Sequence, residues 1–171
     1  MSDKTIKSSK GPCDVTLPDG SVKHFEQAVT VFDVARSIGE GLAQASVAGK
    51  IDGQLVDMSY VIDHPVNLQL ITAKSEEGLE VIRHSCAHLM AQAVKFLFPE
   101  VQVTIGPVIE NGFYYDFYRE EPFSSEDLNI IEKRMHEIVD RNERIDREVW
   151  SRSDAIKFYE DKNEPFKVEL V

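Results

Sequence analysis

The sequence predicts an α+β protein built as two successive units, and three observations carry that prediction. Short alternating apolar runs, punctuated by Pro18-Asp19-Gly20 and Asp52-Gly53, fill the chain up to Lys74. A long stretch of helical period opens after Ser75. Charge changes at the same place: 7 basic against 9 acidic residues up to Lys74, a balance of -2, and 12 against 21 from Ser75 onward, a balance of -9. The expected organisation is a flexible tail over residues 1–12, a compact unit over 13–74 and a second unit over 75–171.

The elements of the first unit follow in order. Cys13 to Leu17 and Ser21 to Phe25 alternate on either side of Pro18-Asp19-Gly20, where Gly20 supplies the positive φ of a hairpin turn. Thr30 then caps a helix, with Asp33 at its third position, Val31, Val34, Ala35 and Ile38 on the apolar side and Gly39 at its end. After a helical turn near Leu42 to Ala45, Ser46 to Ile51 and Gln54 to Met58 flank Asp52-Gly53 as a second hairpin. A last strand, Val66 to Thr72, alternates Val66, Leu68, Leu70 and Thr72 against polar neighbours. This order, ββα, ββ, β, is that of a β-grasp, ubiquitin-like unit.

The second unit opens with a helix, Leu79 to Leu97, capped by Ser75 and stopped by Pro99, with Glu76, Glu77 and Glu80 at the positive end of its dipole. Leu79, Ile82, Cys86, Leu89, Met90, Ala93 and Leu97 form one apolar stripe, which places His84 and His88 opposite its centre. Val101 to Ile109 and Phe113 to Tyr118 read as strands joined by Glu110-Asn111-Gly112, a tight primed turn. Ser124 or Ser125 caps an amphipathic helix through Leu128, Ile131, Met135, Ile138 and Ile145, with His136 on its surface. A short helix, Asp154 to Tyr159, precedes Phe166 to Leu170, which reads as the beginning of a strand. There is no internal repeat and no low-complexity segment.

Composition bounds the function classes. With 171 residues, 42% hydrophobic and 29% charged, the chain is that of a globular protein. Two cysteines without a sensible pairing, a polar start carrying Lys4, Lys7 and Lys10, and the absence of a run near the roughly 18 apolar residues of a membrane helix point to the cytoplasm. A net charge of -11 argues against indiscriminate binding to a polyanion, and leaves open an RNA gripped by a local patch.

The chemistry concentrates in Arg83-His84-Ser85-Cys86-Ala87-His88. Histidines four apart on a helix share a face and can act on one bound molecule; a merely solvated pair is the ordinary alternative. A metalloprotease is excluded because Ser85 stands where the HExxH glutamate would act as base. Cys86 points about 160° away from His84, and Cys13 lies in the other unit, so no local metal set forms and no metal is expected in this chain.

The stretches TLPDGS, VTVFDVARSIG, VAGKIDGQLVD, LQLITAKSEEGLEVIRHSCAHLMAQAV, IGPVIENGFYYDF and EKRMHEIV resemble the TGS domain and the start of the editing domain of the threonyl-tRNA synthetase family, over nearly the whole chain. The resemblance implies a domain that hydrolyses mischarged seryl-tRNA(Thr), with His84, His88, Lys167 and Tyr115 as catalytic residues: histidines orienting water and the terminal ribose, Lys167 a charged donor near the ester, Tyr115 a wall and hydroxyl. Without it, Lys167 reads as a solvated lysine and Tyr115 as a core aromatic. Gly106, Asp116 and Arg83 are weaker substrate-binding candidates: Gly106 for close backbone approach or a turn, Asp116 for orienting a donor or simply exposed, Arg83 for a phosphate or for an ion pair with Glu80 or Glu76.

In that family the histidine pair is completed by a Cys-x-x-x-His pair further on, and no cysteine follows Cys86 here, nor any histidine after His136. The expectation is therefore an N-terminal fragment carrying half of an editing pocket and inactive alone. ATP, magnesium and zinc would belong to the parent's synthetic core, which these residues do not contain, and no cofactor is expected here. Expected partners are tRNA(Thr), mischarged seryl-tRNA(Thr) and the parent's remaining domains, with the parent a homodimer through those domains and no membrane involved. Two other classes stay open: a non-catalytic TGS-type RNA-binding or interaction module, favoured for the isolated chain by the polar face of the small sheet and the missing half-site, and a freestanding deacylase that assembles by oligomerisation.

Overall fold

The computed structural model describes residues 11–143 and 145–171; most of the expected tail lies outside them. The architecture is α+β, in two compact units, one ending at Ile82 and the other beginning at Arg83.

In the first unit β1 (Cys13–Thr16) and β2 (Val22–Phe25) pair antiparallel, with Cys13 opposite Phe25. Gly20 closes their turn at φ 81, and Asp19 Oδ1 accepts from the Ser21 backbone N–H at 2.9 Å. Then β3 (Val29–Thr30) feeds α1 (Val31–Ile38) through a reciprocal cap: Thr30 Oγ1 accepts from Asp33 N–H at 3.1 Å and Asp33 Oδ2 accepts from Thr30 N–H at 3.0 Å. After α2 (Glu40–Ala45), β4 (Ser46–Ile51) and β5 (Gln54–Val56) form the second hairpin. Asp52 and Gly53 both take positive φ, 48 and 90, as a primed turn requires.

The short strand β6 (Val61–Ile62) pairs with β3, a ladder the sequence reading missed. The last strand, β7 (Val66–Thr72), inserts parallel to β1 and antiparallel to β4, giving the sheet order β2-β1-β7-β4-β5. Its alternation holds for Val66 and Leu68, but Ile71 is then the buried residue rather than Leu70 or Thr72, beside a register shift between Ser46 and Ala48. Val31 and Val34 of α1 close over Cys13, Val15, Ile51, Ile62, Val66 and Leu68 to make the core.

The long helix α3 (Glu76–Leu97) starts at the expected cap, Ser75 Oγ accepting from Gly78 N–H at 3.1 Å. The two compact units divide within this helix, between Ile82 and Arg83. Its first turns belong with the sheet, Glu77 pairing with Lys50 of β4.

In the second unit β8 (Gln102–Val103) pairs with β11 (Phe117–Tyr118), and β9 (Val108–Ile109) with β10 (Gly112–Phe113). The two expected strands are thus each broken into short pieces, the first of them interrupted by Gly106-Pro107. The β9–β10 loop is Glu110-Asn111, with Gly112 already paired to Ile109; none of the three has a positive φ, so the expected primed turn does not form.

Ser124 caps α4 (Ser125–Asp140) in a box with Asp127. This helix ends before Ile145, which is 92% exposed and outside the stripe expected to include it. After α5 (Arg152–Asp161), the predicted strand at Phe166 to Leu170 is instead α6 (Pro165–Leu170), with Pro165 at the start of the helix where its fixed φ suits the first turn. Ala93, Val94, Val101, Ile131 and Ile138 make the core, with Phe98, Phe117 and Phe123 against it.

Candidate functional site

The buried residues of α3 correct the predicted apolar stripe. Ala87, Ala91, Ala93 and Val94 are buried, whereas Leu79 and Ile82 are exposed. At 100° per residue, His84 lies about 20° and His88 about 60° round the helix from Ala91. The pair therefore borders the packed face instead of standing opposite it.

His84 and His88 meet edge to face, ring centroids 4.6 Å apart at 81°, with their Nε2 atoms at 3.0 Å. One nitrogen donates and the other accepts, which requires that at least one imidazole be neutral. Burial, then the neighbouring His84 and Lys167 charges, push the His88 imidazole below its usual range.

Three further groups come from elements distant in sequence. Tyr115 lies between β10 and β11, its ring stacked on Phe117 at 4.8 Å and 19°. Irregular backbone bonding fixes this stretch: Thr104 N–H donates to Asp116 O at 3.1 Å, and Asp116 N–H donates to Ile105 O at 2.9 Å. Lys167, on α6, donates to Thr104 O at 2.7 Å and reaches Tyr115 Oη at 3.4 Å. Burial lowers the Lys167 ammonium pKa, an effect the Glu164 carboxylate opposes. Burial also raises the Tyr115 phenol, reinforced by Glu164 and Tyr159.

The weaker candidates occupy other places. Gly106 lies under the Tyr115 ring: a Cβ there would meet ring carbons, Cγ at 2.9 Å among them. Asp116 contributes its backbone to the Thr104 and Ile105 bonds, and the residue is exposed. Arg83 Nη1 donates to Glu110 O at 2.7 Å and clamps the β9–β10 loop.

The structure thus brings His84, His88, Tyr115 and Lys167 into one region of the second unit. It adds Thr104, Glu164 and Lys95, which the sequence reading passed over. Lys95 carried a usable signal, since seven residues beyond His88 returns to within about 20° of the same face. Among the described residues no three His, Cys, Asp or Glu side chains gather to hold a metal, and the histidine pair offers two of the four donors of a tetrahedral zinc. Chemically, the group supplies proton acceptors and donors beside a fixed ammonium. That set can orient a water or hydroxyl and stabilise negative charge developing on oxygen. Among the described residues no helix is long and apolar enough to cross a membrane.

Residues 13–72 match the TGS domain. The chain is 61% identical over 158 residues to a threonine--tRNA ligase of Dechloromonas aromatica (strain RCB), covering 92% of this chain and 25% of that protein. A threonine--tRNA ligase of Thiobacillus denitrificans (strain ATCC 25259 / T1) is 61% identical over 157 residues, with 92% of this chain and 25% of the relative covered. One from Alkalilimnicola ehrlichii (strain ATCC BAA-1101 / DSM 17681 / MLHE-1) is 55% identical over 157 residues, 92% of this chain and 24% of its own. The chain spans about a quarter of the length of these relatives.

Proposed function

From a chain whose residues 13–72 form a TGS domain and whose sequence corresponds to the N-terminal region of threonine--tRNA ligases, we propose that the second unit supplies one side of a site hydrolysing mischarged seryl-tRNA(Thr). The observation that carries this reading is the meeting of His84, His88, Tyr115 and Lys167, drawn from α3, the β10–β11 loop and α6.

Threonine exceeds serine by one methyl group, and a methyl(ene) distinguishes ligands by only about 1–3 kcal/mol. A second, hydrolytic site provides the discrimination that a synthetic pocket lacks. Breaking the aminoacyl ester needs an oriented water, a group to take its proton and a donor for the developing oxyanion. The lowered pKa of His88 keeps its imidazole neutral and able to accept near neutral pH. The Lys167 ammonium, held by Thr104 O, is the electrostatic donor, and the Tyr115 ring walls the site.

The TGS unit would contact tRNA(Thr), and ATP-dependent threonylation, with its ATP, magnesium and zinc, would reside in other parts of the ligase. The test is hydrolysis of seryl-tRNA(Thr) by a threonine--tRNA ligase carrying these residues, compared with His84→Ala, His88→Ala and the double variant. The expected result is loss of hydrolysis with threonine charging intact. Undiminished hydrolysis by the double variant refutes the assignment.

A further inference from the structure

The face of α3 that carries His84 and His88 also carries Lys95, about 20° from His88 and roughly two turns further along. All three protons of its ammonium have acceptors: Pro99 O and Val101 O at 3.0 Å each, and Glu164 Oε1 at 2.6 Å. Lys95 is therefore a fixed post. Glu164 is the residue before Pro165 at the head of α6; it is only 9% exposed, and its main-chain carbonyl accepts from the N–H groups of Lys167 and Val168 at 3.0 and 3.2 Å. Lys167 follows Glu164 by three residues, within the first turn of α6, and the Glu164 carboxylate acts on its charge.

We propose that the Lys95–Glu164 ion pair, in which a buried carboxylate meets a part-exposed ammonium, is a positioning element, which seats the head of α6 on the histidine-bearing face of α3 and so sets where the Lys167 ammonium stands beside Tyr115 and His88. The inference deepens the editing reading and rests on it for its functional meaning.

The energetics favour a positioning role over a simple gain in stability. A carboxylate withdrawn from water to meet a part-exposed cation recovers little net free energy, and an apolar pair of similar volume often does as well or better. Glu164 Oε2 is buried and has no hydrogen-bond partner among the described residues, which adds a further cost. What the carboxylate does gain is direction. It faces one fixed cation through Oε1 and lies one helical turn from a second, Lys167, whose charge it supports against the effect of burial.

The test uses this chain with Glu164→Gln, Lys95→Met and the double change, following the Lys167 Nζ, His88 ring and Tyr115 ring resonances by NMR across pH. Glu164→Gln keeps the acceptor for Lys95 and removes the charge; the expected results are a Lys167 midpoint below that of the unaltered chain and a Tyr115 midpoint that also falls. Lys95→Met is expected to displace the His88 and Tyr115 resonances. If Lys95→Met unfolds because it strands a buried carboxylate, the double variant decides: a refolded chain with altered Lys167 and His88 titrations supports the proposal. Folded variants whose three sets of resonances and midpoints match the unaltered chain overturn it. So does loss of folding in all three variants, which makes the pair a scaffold element. None of these readouts involves ester hydrolysis, so failure of the positioning role and failure of the editing assignment are told apart.

Discussion

Replacing Gly106 by alanine isolates the support beneath Tyr115. The Cβ introduced would stand 2.9 Å from Tyr115 Cγ and nearer still to Cδ2 and Cε2, where ordinary contact begins at 3.4 Å, so the ring must withdraw by well over 0.5 Å. It has little room to do so, because it is stacked on Phe117, whose own ring meets Phe123 at 5.9 Å in the core. Gly106 does not take a positive φ, so alanine carries no backbone penalty and would, in open space, stabilise by about 0.4–1 kcal/mol. Overpacking reverses that sign at a cost of about 1–3 kcal/mol. For a unit of this size the expected fall in melting temperature is at least about 4 °C. Calorimetry or thermal circular dichroism reads it, and NMR of the Tyr115 ring reports the displacement from Lys167. In a Tyr115→Ala background the obstacle is gone and Gly106→Ala should cost nothing more. An unchanged melting temperature, or an equal cost in both backgrounds, refutes the reasoning.

Within a full ligase, His84→Ala and His88→Ala should each abolish most seryl-tRNA hydrolysis, while Lys167→Ala lowers its rate by about 10²–10³; single-turnover deacylation measures all three. Because the His88 pKa is lowered from 6.5 on folding, the native state holds fewer protons than the unfolded one between the two values. Stability should therefore decline as pH falls from about 6.5 through the folded value and level off below it, and urea midpoints for His88→Gln should show a shallower decline. Thr30→Ala removes one half of the α1 capping box and should cost about 1 kcal/mol in urea unfolding; an unchanged midpoint would contradict the cap. Purified without chelator, this chain should hold no stoichiometric zinc, and elemental analysis giving close to one zinc per chain would count against the two-donor reading.

The first unit was nearly all legible because its signals are local. Asp52-Gly53 specifies its turn, and Thr30 with Asp33 specifies its helix start, whatever packs nearby. The second unit was misread where length or partners decide. Phe166-Lys167-Val168-Glu169-Leu170 alternates apolar and polar residues, but five residues are too few to separate a period of 2 from 3.6, and Pro165 was the better guide. On α3 the large residues Leu79 and Ile82 drew the stripe towards themselves, while burial went to Ala87 and Ala91, where small side chains let neighbouring structure approach. In the candidate site, the histidine pair was visible from spacing. Lys167 and Tyr115 came only from the family resemblance, since nothing in their own neighbourhoods separates them from a surface lysine and a core aromatic. Glu164 was invisible because its partner lies 69 positions earlier, on another helix.

The contact between the two imidazoles also has a polarity. In a neutral pair the ring that gives its Nε2 hydrogen carries a bare Nδ1, whereas the ring that receives it carries Nδ1–H. The pair thus offers its surroundings one lone pair and one hydrogen at its outer nitrogens. Reversing the inner hydrogen, with tautomer exchange in both rings, interchanges those outer roles while every heavier atom stays in place. Two histidines arranged in this way can serve a proton moving in either direction along the same line.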